Sequence, residues 1–179
     1  MGEHGQKGVT LWFTGLPSSG KSAIADRLAG ILKDRGYRVE RLDGDVVRQD
    51  LTRDLGFSRA DREENIRRVA FVAKLLTRNG VFVLCSFVSP YREMRARARA
   101  AVGSFVEVYV KCPLEVCAAR DVKGMYKKAK AGEIREFTGV SDPYEEPLHP
   151  DLVVETDREP LEGSVGRVLA RMKELGFLE

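Results

Sequence analysis

The sequence predicts an α/β fold, a mostly parallel five-stranded sheet wrapped by helices on both faces, and three observations predict it. Short apolar runs alternate with segments whose apolar residues recur at helical spacing, as repeated strand–helix crossovers require. One run, VFVLCSFV at Val81–Val88, is apolar almost throughout, as a strand covered on both faces must be. The first run ends in a glycine- and serine-rich turn that opens directly into a helix. The 179 residues, 43% of them apolar, suit one compact domain spanning 1–179, and no Pro/Gly/Ser-rich linker or internal repeat divides them.

Taken in order, Val9–Thr14 (VTLWFT) is a short buried strand. Ile24, Leu28, Ile31 and Leu32 then follow helical spacing between Gly20 and Arg35, and Gly36 stops the helix. Tyr37–Leu42 is a second strand closed by Asp43-Gly44-Asp45, which is good turn chemistry. Ser58 and Asp61 form a capping box for a helix that carries Ile66, Val69, Ala70 and Ala73 on one face and ends near Asn79-Gly80. After the Val81–Val88 strand, Ser89-Pro90 reads as an N-cap followed by proline at the first helical position. Phe105–Val110 is a fourth strand and Pro113–Arg120 starts a short helix. Gly124–Pro147 is polar, rich in Lys and Gly, with no clear core face. Leu152–Glu155 is a last strand, and Leu161, Val165, Val168, Leu169 and Met172 mark a final helix.

Composition narrows the function classes. The longest apolar run is far too short to cross a bilayer, and the polar Met1–Gly8 segment lacks the apolar stretch of a secretory signal, so a cytoplasmic protein with no membrane partner is expected. Cys85, Cys112 and Cys117 have no metal-ligand spacing and read as buried small hydrophobes. A net charge of +3 fits anionic small molecules, and no basic stripe with interleaved aromatics suggests a nucleic-acid partner.

Gly15-Leu16-Pro17-Ser18-Ser19-Gly20-Lys21-Ser22 matches the P-loop pattern G-x-x-x-x-G-K-[ST]. Such a loop turns its backbone N–H groups inward around phosphates, helped by glycine dihedrals and by the positive end of the following helix. Gly15, Ser18, Ser19, Gly20, Lys21 and Ser22 are therefore expected to hold ATP, with Lys21 on the β and γ phosphates and Ser22 on Mg²⁺. Asp43, Asp45 and Arg48 sit at the carboxyl end of the second strand, where open α/β sheets place ligands. Because strand three ends without an acid, Asp45 is the candidate base for an attacking hydroxyl or a water-mediated partner of the metal. Arg62 and Asn65 share a face on the first turns of their helix and could grip an anion. A solvated charged face is the competing explanation of that arginine-rich run.

LDGDVVR (Leu42–Arg48), DLGFSRADREENIRR (Asp54–Arg68), FVSPYREMR (Phe87–Arg95) and KGMYKKAKAGEIREFTGVSDPYEEP (Lys123–Pro147), in this order behind the P-loop, resemble adenylylsulfate kinases. The resemblance implies a P-loop NTPase-type three-layer fold with a mobile lid at about 123–147. It also implies phosphorylation of the 3′-hydroxyl of adenylylsulfate (APS) by Mg-ATP, giving PAPS and ADP in sulfate assimilation. By the same resemblance Asp43, Asp45, Arg48, Phe57, Arg62 and Asn65 would bind APS, with Phe57 and Phe137 on the two faces of its adenine. Arg120 would contact the nucleotide, and Ser89 matches a serine that carries a phosphoryl group in some members; capping the next helix is its other role. A homodimer and a functional link to ATP sulfurylase are further implications. The family more often has a small residue at Pro17 and glycine at Ser18, and Pro17 removes one N–H from the nest. Two other readings keep the P-loop: a small-molecule kinase for a nucleotide or sugar acid, and a non-catalytic nucleotide sensor.

Overall fold

In a computed structural model that describes residues 5–179, the chain builds one five-stranded sheet with helices on both faces. Chain order is β1 (Val9–Thr14), α1 (Lys21–Asp34), β2 (Val39–Asp43), α2 (Gly44–Gln49), α3 (Arg59–Arg78), β3 (Phe82–Ser86) and α4 (Arg92–Val102), then β4 (Phe105–Lys111), α5 (Leu114–Arg120), α6 (Met125–Lys130), β5 (Leu152–Glu155) and α7 (Leu161–Glu174). The first four residues of the polar Met1–Gly8 segment lie outside the described residues. Every strand pair is parallel, in the order β2-β3-β1-β4-β5. Among the described residues no helix is long and apolar enough to cross a membrane.

Strand periodicity divides the core. Val9, Leu11 and Phe13 point to one face of β1, where they meet Ile24, Leu28 and Leu32 of α1 and Val165, Val168 and Met172 of α7. Trp12 points to the other face and packs with Val69 and Ala73 of α3 and Met94 and Ala98 of α4. Its indole stacks on Phe87 and Phe105 at centroid distances of 5.5 and 5.6 Å. Cys85, Cys112 and Cys117 are buried and free, as small hydrophobes.

Four local expectations change. The second strand starts at Val39 and includes Asp43, so Asp43-Gly44-Asp45 is a strand end running into α2 rather than a turn. The helix after β3 begins at Arg92, and Ser89 does not cap it. Ser89 instead sits buried in a left-handed conformation (φ 41°) with its hydroxyl turned to β1. The Gly124–Pro147 stretch contains α6, and it does have a core face: Tyr126, Ala129 and Phe137 form a third buried cluster with Cys112 and Cys117. Ser58 caps α3 through the Asp61 N–H at 3.1 Å, but the Asp61 carboxylate turns to the Gly56 N–H instead of closing the box.

The chain moves to one side of β1 for β2 and β3 and to the other for β4 and β5. The carboxyl ends of β1, β2 and β3 thus open onto one crevice at this switch point, where parallel sheets take ligands.

Candidate active site

The P-loop leaves β1 through Gly15, where a side chain has no room: a Cβ there would lie 2.4 Å from the Val110 carbonyl oxygen. Ser18 (φ 62°) and Gly20 (φ 105°) take left-handed backbone and curl the loop around its centre. Thr156, just past β5, braces it from outside by donating to the Ser19 carbonyl at 2.6 Å. Arg120 donates to the Thr156 carbonyl at 2.7 Å and hydroxyl at 3.1 Å, and reaches the Ser19 carbonyl at 3.4 Å. The Tyr126 hydroxyl donates to the Pro17 carbonyl at 2.8 Å, so the proline that supplies no N–H still ties α6 to the loop.

Lys21 folds over this loop, its Nζ donating to the carbonyls of Gly15 at 2.9 Å and Leu16 at 2.7 Å. Burial pushes its pKa down to about 8, against the attraction of Asp43 and Asp45. A phosphate entering the nest offers this ammonium the anionic partner that the carbonyls only approximate.

The two acids at the end of β2 separate sharply. Asp43 N-caps α2, with Oδ1 accepting from the Asp45 N–H at 3.0 Å. Its Oδ2 accepts the Ser22 hydroxyl at 2.6 Å and lies 3.4 Å from the Arg41 guanidinium. Burial opposes ionisation of Asp43, but the Ser22 hydroxyl, the Asp45 N–H and Arg41 together hold its carboxyl below the ordinary value. Asp45 does not touch Ser22; its exposed carboxylate pairs with Lys123 across the cleft. Among the described residues no cluster of three or more His, Cys, Asp or Glu could hold a metal alone. The Ser22–Asp43 pair of hard oxygens beside a phosphate nest nonetheless fits Mg²⁺, which takes its remaining ligands from phosphates and water.

One cleft of about 520 Å³ is lined by Lys21 and Ser22 of the P-loop and, on its other walls, by Arg48, Phe57, Asn65, Ser89 and Phe137. Phe57 is 55% exposed, and the Arg48 guanidinium lies 4.2 Å over its ring, a cation–π contact that leaves the other ring face free. Phe137 is buried edge-on against Tyr126 at 5.0 Å between centroids and still lines the cleft, so it serves core and site together. The Asn65 Oδ1 accepts from the Thr52 hydroxyl at 2.7 Å, which fixes the amide. Arg62 also borders the cleft, but its guanidinium is taken up by protein: by the Phe57 carbonyl at 2.8 Å, Thr138 Oγ1 at 2.6 Å, Asp142 Oδ2 at 3.1 Å and the Glu136 carbonyl. It is therefore not part of a solvated face.

The Ser89 hydroxyl accepts from the Trp12 indole N–H at 3.0 Å and lies 3.1 Å from both Thr14 Oγ1 and the Phe87 carbonyl. Thr14 in turn meets the Tyr144 hydroxyl at 2.8 Å. Sequence reasoning missed Thr156, Tyr126, Thr138 and Tyr144, and gave Lys123 no individual weight. A hydroxyl just beyond the carboxyl end of a strand was the available signal for Thr156; the others depend on partners far along the chain.

A family model described as adenylylsulphate kinase matches residues 7–155 of this chain. The chain belongs to the adenylylsulphate kinase family. An adenylyl-sulfate kinase of Halothermothrix orenii is 59% identical over 97% of this chain and 94% of its own length. The APS kinase of Mycobacterium tuberculosis, solved in complex with AMPPNP and APS, superposes with a TM-score of 0.89 at 44% identity, covering 93% of this chain and 98% of that one. A hexameric APS kinase from Thiobacillus denitrificans superposes with a TM-score of 0.75 at 33% identity, this chain spanning 30% of that one. The α/β fold and the family resemblance read from the sequence both hold.

Proposed function

We propose that this protein transfers the γ-phosphoryl group of Mg-ATP to the 3′-hydroxyl of APS, giving PAPS and ADP. It acts as a single kinase domain in which the 123–147 segment closes over the substrates. The observation that carries the reading is the meeting of an intact P-loop and two acids, across one cleft, with an aromatic and cationic wall suited to a phosphorylated purine. A sugar-acid acceptor would leave the exposed Phe57 ring without a role, and a nucleotide sensor would have no use for the acceptor wall.

In this reading the backbone nest and Lys21 hold the triphosphate, and Arg120 with Thr156 keeps the nest rigid. Ser22 and Asp43 would hold Mg²⁺, which when bound neutralises charge on the β and γ phosphates. Phe57 and Phe137 stack on the adenine of APS, and Arg48 and Asn65 hold its polar groups. Asp45 accepts the proton of the attacking hydroxyl, with Lys123 holding the carboxylate over the cleft. Ser89 needs no phosphoryl group of its own, because in-line transfer asks only for positioning and charge stabilisation. Closure of the segment carrying Lys123 excludes water from the transfer. We place the reaction in the cytoplasm, in a homodimer, downstream of an ATP sulfurylase that supplies APS.

The test is ADP release from Mg-ATP with APS, AMP, gluconate or no acceptor, run beside Lys21→Ala. Turnover that requires APS, yields PAPS and vanishes in the variant is expected. ATP binding without turnover on APS would sink the proposal.

A further inference from the structure

Strand β3 ends at Ser86, with no carboxylate beside the phosphate nest. The acid arrives from the neighbouring edge strand instead: Asp43 stands in register with Ser86, and its Oδ2 takes the Ser22 hydroxyl at 2.6 Å. A carboxylate at the end of an edge strand needs something to stop it rotating. Its Oδ1 has the Asp45 N–H, and its Oδ2 has Arg41.

Arg41 is well placed for this. Its Nη1 donates to the Leu84 carbonyl at 2.7 Å and the Ser86 hydroxyl at 3.2 Å, both on β3. Its Nε donates to Asp26 of α1 at 2.8 Å. The remaining Nη2 faces Asp43 Oδ2 at 3.4 Å. The guanidinium is thus fixed through two of its nitrogens by β3 and the P-loop helix, with the third turned to the acid. Arg41 does not itself line the cleft.

We propose that Arg41 is a positioning residue that holds the Asp43 carboxylate against Ser22, so that β2 supplies the acid β3 lacks. The inference rests on the reading of Ser22 and Asp43 as the Mg²⁺ side of the site. Outer partners of this kind govern metal affinity by orienting the inner oxygens rather than by touching the ion. Of the groups proposed to hold nucleotide, metal or acceptor, Arg41 touches Asp43 only, so its removal is expected to spare metal-free nucleotide binding and the acceptor site.

The experiment is calorimetry of AMPPNP binding to the full chain, with and without Mg²⁺, for wild type, Arg41→Met, Arg41→Lys and Ser86→Ala. Arg41→Met keeps the apolar stem and is expected to lose roughly tenfold or more of the tightening that Mg²⁺ confers. Its metal-free affinity stays within about twofold, since the outer partner acts only on metal binding. Arg41→Lys recovers part of the loss, and Ser86→Ala shows a smaller loss in the same direction. In turnover assays the Mg²⁺ requirement rises while KM for APS is unchanged. Full Mg²⁺ tightening in a folded Arg41→Met overturns the proposal, and so does an equal loss with and without metal. Should Arg41→Met not fold, unaltered tightening in both Arg41→Lys and Ser86→Ala overturns it equally. A wild type that gains nothing from Mg²⁺ overturns the metal reading of Ser22 and Asp43 as well, whereas loss of the proposal alone leaves that gain intact.

Discussion

Removing the Arg62 guanidinium should release the 134–142 stretch even with no substrate present. Three of its four partners, Thr138 Oγ1, Asp142 Oδ2 and the Glu136 carbonyl, belong to that stretch, while Arg62 itself is on α3 and only 8% exposed. Hydrogen bonds to a charged group contribute ~1.5–3 kcal/mol each, non-additively. Breaking a buried ion pair by deleting one partner costs ~3–5 kcal/mol. The Asp142 side chain is 24% exposed and regains water when its partner goes, which favours the low end. A local loss of about 3 kcal/mol corresponds to roughly a hundredfold change in an opening equilibrium. The amides of Gly139 and Asp142, bonded to the carbonyls of Asp142 and Phe137 at 2.8 and 3.1 Å, report on it. Arg62→Met, which keeps the stem, should therefore exchange these amides about a hundred times faster in hydrogen-exchange mass spectrometry of the unliganded protein. Peptides from β1 and α1 should be unaffected. If exchange at 134–142 is unchanged while KM for APS rises, Arg62 acts on substrate alone and the reasoning fails.

Lys21 should make nucleotide binding pH-dependent. Its pKa is lowered to about 8 by burial, so above that pH the empty site holds mostly neutral amine, while a bound polyphosphate favours the ammonium. AMPPNP affinity should therefore fall as pH rises past about 8, by up to about tenfold per unit, with proton uptake measurable by calorimetry in buffers of different ionisation enthalpy. No proton uptake at pH 9 would refute this, and Lys21→Arg, charged throughout, should abolish it. Ser89→Ala strands the Trp12 indole N–H and should destabilise the fold by about 2 kcal/mol in urea denaturation while phosphoryl transfer persists within about tenfold. A loss of a thousandfold or more in turnover at unchanged stability would restore a phosphoryl-carrying role for that hydroxyl.

What could be read from the sequence is what local chemistry decides. The P-loop is eight consecutive residues, and the strands Val9–Thr14, Phe82–Ser86 and Phe105–Lys111 are short, mostly apolar runs of strand length. Several of the misreadings have distant partners. The serine–proline pair at Ser89 carries a sound capping signal, but its hydroxyl is claimed by Trp12, 77 residues away. The Gly124–Pro147 stretch looks coreless because its apolar residues are sparse, yet Tyr126 is fixed by Pro17, 109 residues earlier. Arg62 reads from the sequence as an anion grip or part of a solvated run, and its protein partners 74 to 80 residues later are not legible there.

The six-residue helix α2 is the most instructive omission, because it separates two acids whose division of work the sequence leaves open. Asp-Gly-Asp favours an Asx-type turn or a helix N-cap for the same reason: a short carboxylate can accept the N–H two residues on. Only the chain beyond chooses, and GDVVRQ is too short to show helical periodicity. Once Gly44 begins a helix, Asp43 must give one oxygen to the Asp45 N–H, which turns its other oxygen to Ser22. Asp45, on the first turn of the same helix, is carried away from Ser22 and meets Lys123 over the cleft. The division of labour between metal side and acceptor side therefore follows from where one short helix starts.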